Sequence, residues 1–454
     1  MNILIRSGRV IDPANYVDSV LDIYISDGKI VPPSADFRAE RVIDATGKIV
    51  CPGFVDIHMH EDPVLPDGSI YKDEEKAIFN CMLRMGVTTA IAGNCGENKY
   101  HPADYLDLVD AQGTAVNVGM MAGHEYFRHE AGALDKYAPA TKEQKAHMAR
   151  QVEKCLERGG VGVSFGIRYI PGIDMDELLE TASGCKKHGG RISAHIRSDA
   201  EEVYDAAKEF LDAGLTLDVP VQLSHIGSMA GFGQMEKFLT LVDSYKIIKP
   251  DIGCDCYPYD AFSTGLGSTT YDEGWLERYG CDYSVVELAE GKYKGQRCTK
   301  EIFDEVRREH PECMTICYVM QQSQVDLALT HPGVMLGSDG TLSEGQGHPR
   351  AAGAFPRFID RYVKTGKLSL FEAINKITAV PARQLNLKDK GRLSAGADAD
   401  VVIFDLERIA DKATFEQPLL PPEGMDYVIV NGVIAAENGK ILSFNSGRSI
   451  RKQI

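Results

Sequence analysis

Two histidines one residue apart, His58 and His60, close the apolar run Cys51-Pro52-Gly53-Phe54-Val55-Asp56-Ile57. Alternate side chains of an extended strand share a face, so both imidazoles point the same way and can grip one metal ion. Further groups of the same chemical kind follow later apolar runs. Cys95 follows Ile91-Ala92-Gly93-Asn94, and His195 follows Ile192-Ser193-Ala194. His225 follows Val221-Gln222-Leu223-Ser224, and Asp339 follows Val334-Met335-Leu336-Gly337-Ser338. Imidazole and thiolate suit Zn²⁺, whose catalytic sites keep an open position for water. A bound metal lowers the pKa of that water, and a neighbouring carboxylate can pass its proton to a leaving nitrogen. Asp339 is placed for that role. Each residue alone has an ordinary explanation. A strand-end histidine can serve as a hydrogen-bonded structural group, a cysteine as a small hydrophobe, and Asp-Gly as a turn or helix cap. Their recurrence at the ends of five separate strands points to one shared metal site rather than coincidence.

The elements that must carry these groups alternate. Candidate strands are 49–60, 88–95, 117–123, 161–167, 191–195, 220–225, 251–257 and 334–339. Amphipathic stretches lie between them, over 142–158, 175–188, 199–213 and 235–245. Strand–helix alternation repeated about eight times predicts an α/β fold of the TIM type, a (β/α)8 barrel, with catalytic groups at the C-terminal strand ends. The gap between Tyr259 and Val334 exceeds one crossover and implies an insertion. Both chain ends read as short strands, with a type I′ hairpin turn expected at Asn431-Gly432. The predicted organisation is a small β-sandwich domain from residues 1–50 and 392–454 around a catalytic barrel of residues 51–391.

The order His-x-His, then His, His and Asp on later strands resembles the amidohydrolase superfamily over nearly the whole chain. Within it the chain is similar to the D-aminoacylases, the N-acyl-D-amino-acid deacylases. The matching stretches are Gly93-Asn94-Cys95-Gly96, Ala194-His195-Ile196-Arg197-Ser198, Ser224-His225, Tyr257-Pro258-Tyr259, Gly337-Ser338-Asp339-Gly340 and His348-Pro349-Arg350. The resemblance implies one zinc ion held tightly by Cys95, His195 and His225, with His58 and His60 at a second, weaker position. Many superfamily members bridge two metals with a lysine on the fourth strand. Residues 161–167 contain no lysine, as in the D-aminoacylases, where a cysteine takes the ligand role. The resemblance further implies that Arg350 binds the substrate α-carboxylate, assisted by Tyr257 and Ser263. An arginine fork suits a carboxylate because it donates two parallel hydrogen bonds. The chain departs from the pattern at Gly123-His124-Glu125-Tyr126-Phe127-Arg128 and at Arg168-Tyr169-Ile170-Pro171. There Arg128 or Arg168 could favour an acidic substrate side chain, or pair with a neighbouring glutamate.

The expected reaction is hydrolysis of an N-acyl-D-amino acid to a carboxylate and a D-amino acid, with Asp339 as proton shuttle. The alternatives are a cyclic amidase of the hydantoinase or dihydropyrimidinase kind, a deaminase, and a barrel scaffold without catalysis. A formal net charge of -17 and a pI near 5.2 argue against nucleic acid and anionic membranes as partners. The expected partner is a small molecule bearing a carboxylate, and an oligomer is compatible with this composition. No apolar run approaches a membrane span and no secretory leader is visible, so the cytoplasm is the expected compartment. The 11 cysteines form no small-domain framework and should be mostly reduced and buried.

Overall fold

Eight short parallel strands surround the centre of the molecule. They are β1 (Phe54–Asp56), β2 (Val87–Ala92), β3 (Asn117–Gly123), β4 (Gly162–Gly166), β5 (Arg191–His195), β6 (Val221–Leu223), β7 (Ile252–Cys256) and β8 (Val334–Leu336). The structure is a computed structural model and describes residues 1–343 and 345–452. The strands pair in chain order from β1 to β8. Nearly every strand residue is buried, because helices cover the outer face and side chains fill the inside. Closure between β8 and β1 happens beyond the strands. His60 N donates to Gly340 O at 2.9 Å and Asp339 N to His58 O at 2.8 Å. The seam of the barrel therefore passes through the residues predicted to do chemistry.

The expected strand 49–60 is two strands. Ile49–Pro52 pairs antiparallel with Val401–Phe404 in the terminal sheet, and β1 starts at Phe54. Gly53 makes the crossing. Its N–H donates to Asp400 O at 2.8 Å, and a Cβ there would lie 2.1 Å from Thr88 Oγ1. The helix expected over 175–188 ends at Thr181. Gly184 and the pair Gly189-Gly190 disfavour its continuation, and turns follow instead.

Both termini build one nine-stranded sheet with its own core, which includes Ile3, Ile25, Val50, Val401 and Ile429. Asn431 and Gly432 have φ of 49° and 78°, the left-handed pair a type I′ turn requires. The buried Asp400 carboxylate locks this sheet to the bottom of the barrel. It accepts from Lys390 Nζ at 2.6 Å and from Asn117 Nδ2, at the start of β3, at 3.1 Å. The insertion between β7 and β8 contains a three-stranded antiparallel sheet of Phe262–Gly265, Val286–Leu288 and Met314–Cys317. Its first strand carries Ser263 to the barrel mouth. All 11 cysteines are unpaired, and no described helix is long and apolar enough to cross a membrane.

Candidate metal centre

The predicted ligands meet at the C-terminal ends of the strands. One ligand atom each from His58, Cys95, His225 and Asp339 lies within 4.8 Å of the other three, and all four residues are buried. Cys95 Sγ is 3.4 Å from His58 Nε2 and 3.3 Å from His225 Nε2. Asp339 Oδ1 is 3.3 Å from both His58 Nε2 and His60 Nε2. His195 stands at the edge of this group. Its ring centroid is 4.5 Å from that of His225, and its Nδ1 is buried without a partner. The tightest cluster thus contains His58, while His60 and His195 flank it.

Local backbone strain aims these groups. Cys95, His225 and Asp339 have φ of 54°, 33° and 49°, in the left-handed region that non-glycine residues rarely adopt. Such strain persists only where the surroundings enforce it, and it gathers at functional sites. The Cys95 loop is enforced from β4. Ser164 Oγ donates to Gly93 O at 2.5 Å and accepts from Gly96 N at 3.1 Å. A Cβ at Gly166 would lie 2.2 Å from Cys95 O, so glycine alone lets the loop pack there. From the other side, Glu61 accepts from Gly93 N at 3.1 Å and Lys99 N at 2.8 Å.

Asp255 was missed in the sequence. It is fully buried on β7 between Cys254 and Cys256. Its Oδ1 accepts from His225 N at 2.8 Å and lies 3.2 Å from His58 Nδ1, and its Oδ2 accepts from Gln222 Nε2 at 2.7 Å. By accepting from His58 Nδ1, it turns the Nε2 lone pair toward Cys95 and Asp339, as the outer carboxylate of a metal-bound histidine does. Ser228 Oγ lies 3.0 Å from His225 Nδ1 and orients that ring likewise. The available signal was a carboxylate inside an otherwise apolar strand leading to Tyr257.

The electrostatics suit a cation. Burial alone would raise the Cys95 thiol, but the imidazoles of His58 and His225 pull it well below the ordinary range. Burial likewise opposes ionisation of Asp339, yet the Arg350 guanidinium and nearby histidines hold its carboxyl well below the usual carboxylate range. Burial, then the neighbouring His225, pushes His195 down to about 4. Burial opposes charge on His58 and His60 too, yet the surrounding anions hold His58 well above its ordinary value and His60 at about 10, so a cation entering the cluster would displace protons from these rings as it takes thiolate, carboxylate and neutral imidazole as ligands. Together with the orphaned His195 Nδ1, this donor set fits a zinc ion.

The substrate-binding candidates line the same space. A cleft of about 1030 Å³ is bordered by His60, Cys95, Tyr169, Ser263, Asp339 and Arg350, and Tyr257 joins them deeper in. Arg350 Nη2 donates to Asp339 Oδ2 at 2.8 Å, its guanidinium stands 4.6 Å from the Tyr257 ring centroid, and its Nε and Nη1 are buried without partners. Ser263 Oγ is also unpaired. The two arginines of the divergent loops separate. Arg128 is buried against Glu177, whereas Arg168 has no side-chain partner among the described residues.

Known proteins agree with this architecture. Amidohydrolase family profiles match residues 49–247 and 313–436. The chain is 30% identical to a D-aminoacylase of Alcaligenes xylosoxydans xylosoxydans, over 99% of this chain and 98% of that one. A solved D-aminoacylase described as having a binuclear metal centre superposes with a TM-score of 0.88 at 27% identity, over 99% of both chains. The N-acyl-D-glutamate deacylase of Bordetella bronchiseptica, solved with zinc and a phosphonate mimic of the tetrahedral intermediate, gives a TM-score of 0.87 at 27% identity, over 99% of both chains.

Proposed function

The chain belongs to the amidohydrolase family, and from that premise we propose that it is a zinc-dependent deacylase of N-acyl-D-amino acids, yielding a carboxylate and a free D-amino acid. The observation that carries this reading is the buried cluster of His58, Cys95, His225 and Asp339 beside the unpaired donors of Arg350. His58, Cys95 and His225 would hold the ion, with His195 and His60 on its flanks and Asp339 between it and Arg350. When bound, zinc supplies a Lewis acid that polarises the acyl carbonyl and makes water a nucleophile near neutral pH.

The chain's own groups do the rest. Arg350 offers its unpaired N–H groups to the α-carboxylate, and Tyr257 and Ser263 complete that pocket. With the α-carboxylate fixed there and the acyl carbonyl at the cluster, the configuration at the α-carbon decides where the side chain goes, which is the source of D-selectivity. Asp339 accepts the proton of the attacking water at Oδ1 and delivers it to the amide nitrogen, so the amine leaves neutral. The composite domain of residues 1–50 and 392–454 serves as a rigid base beneath the barrel.

The test is a screen of N-acetyl and N-formyl D- and L-amino acids, plus hydantoins, with zinc-loaded protein. Hydrolysis confined to linear D-substrates is expected. Hydrolysis of hydantoins alone, or equal rates on both enantiomers, would overturn the reading.

A further inference from the structure

Arg168 immediately follows Ile167 at the mouth end of β4, and it is a buried cation without an anion. It is 8% exposed, and its Nε and Nη2 are covered yet donate to nothing among the described residues. A guanidinium cannot shed its charge, so burial without a counter-charge is a standing penalty that an entering anion would relieve. No described residue supplies that anion. Asp199, which lines the inner cavity, is already engaged by Tyr279 OH at 2.6 Å and Arg278 Nε at 3.1 Å.

The position of Arg168 ties it to the site. Its neighbour Tyr169 packs on His195 with ring centroids 4.6 Å apart, and its carbonyl accepts from Thr269 Oγ1 at 2.5 Å. Its charge is felt at His195 and at Tyr279, both of which line the inner cavity. The α-carboxylate is already provided for by Arg350, on the Asp339 side of the cavity. A second, unsatisfied guanidinium directly behind residues that line the cavity, Tyr169, Thr269 and His195, calls for a second carboxylate.

We propose that Arg168 receives the side-chain carboxylate of the substrate, so that the preferred substrates are N-acyl-D-amino acids with an acidic side chain. The inference rests on the deacylase reading above and narrows it to one substrate class. A neutral side chain leaves the guanidinium buried and unpaired, and that asymmetry is what lets a polar pocket discriminate strongly.

The test compares kcat/KM on N-acetyl-D-glutamate, N-acetyl-D-leucine and N-succinyl-D-leucine, for the zinc-loaded wild type, Arg168→Met and Arg168→Lys. The wild type is expected to prefer N-acetyl-D-glutamate by about 100-fold. Arg168→Met should lose about 100-fold on that substrate, mainly through KM, and stay within about 3-fold on N-acetyl-D-leucine. Arg168→Lys should recover part of the loss. Equal losses on both substrates would make Arg168 structural and overturn the proposal. A wild-type preference for N-acetyl-D-leucine would overturn it and leave the deacylase reading standing. A preference for N-succinyl-D-leucine would do the same, by moving the second carboxylate to the acyl group. No hydrolysis of any D-substrate would remove the deacylase reading and this proposal together.

Discussion

Two buried polar clusters sit at neighbouring strand ends, and they are built on opposite principles. In the cluster beyond β3, the carboxylate and the guanidinium are fully paired, and only His124 Nδ1 is left without a partner among the described residues. Glu177 Oε1 accepts from His124 Nε2 and Arg128 Nε, both at 2.9 Å, and Glu177 Oε2 accepts from Ala140 N at 2.9 Å. Arg128 also donates to the carbonyls of Ala133, Asp135 and Ala138. It is a clasp that pins residues 133–140 to the barrel. The cluster at the seam gathers three left-handed backbones, crowded imidazoles, an orphaned His195 nitrogen and arginines with unpaired N–H groups. A satisfied buried cluster stabilises the fold, whereas an unsatisfied one is held in place by the fold and awaits a ligand.

The contrast breaks if the clasp proves dispensable to stability or the seam dispensable to turnover. Arg128→Met should cost about 5 kcal/mol of stability, because it strands the buried Glu177 carboxylate, and a denaturant titration measures it. A loss below about 1 kcal/mol would contradict the clasp. Asp339→Asn should lower kcat about 10³-fold, roughly 4 kcal/mol, while zinc content is retained. A variant that keeps wild-type kcat would remove the proton-shuttle role.

Acid should also attack the clasp. Burial alone would raise the Glu177 carboxyl, but hydrogen bonds from His124, Ala140 N and Arg128 hold it at about 2. Since that lies below the unfolded value of 4.5, the stabilisation is complete above about pH 4.5 and fades as pH falls toward about 2. Glu177→Gln should remove up to roughly 3 kcal/mol of the acid-dependent part of stability, read from melting temperature against pH. Asp255→Asn should weaken zinc binding about 10- to 100-fold by freeing the His58 ring, with a smaller effect on the metal-free melting temperature.

The barrel and its strand-end residues were legible in the sequence because apolar runs, breakers and polar terminators repeat with a fixed rhythm. The hairpin at Asn431-Gly432 was legible because few residues tolerate two left-handed positions in succession. Asp255 was not, since a carboxylate inside a strand carries no sign of what it faces across the barrel. Nor was the role of Gly166, whose missing side chain matters only because Cys95 O passes over it. Arg128 and Arg168 looked equivalent in the sequence. Only the positions of Glu177 and of three carbonyls in the loop that follows make one a structural pin, while the other has no side-chain partner among the described residues.

The central claim is that the seam cluster is a zinc centre built on Cys95 and that it drives deacylation. Titrating zinc into the metal-free wild type and Cys95→Ala, while following hydrolysis of an N-acetyl-D-amino acid, tests it most directly. The account predicts that wild-type activity rises to a plateau at stoichiometric zinc and that Cys95→Ala stays inactive at the same zinc concentrations. Full activity in the metal-free wild type, or an unchanged titration in Cys95→Ala, would contradict it.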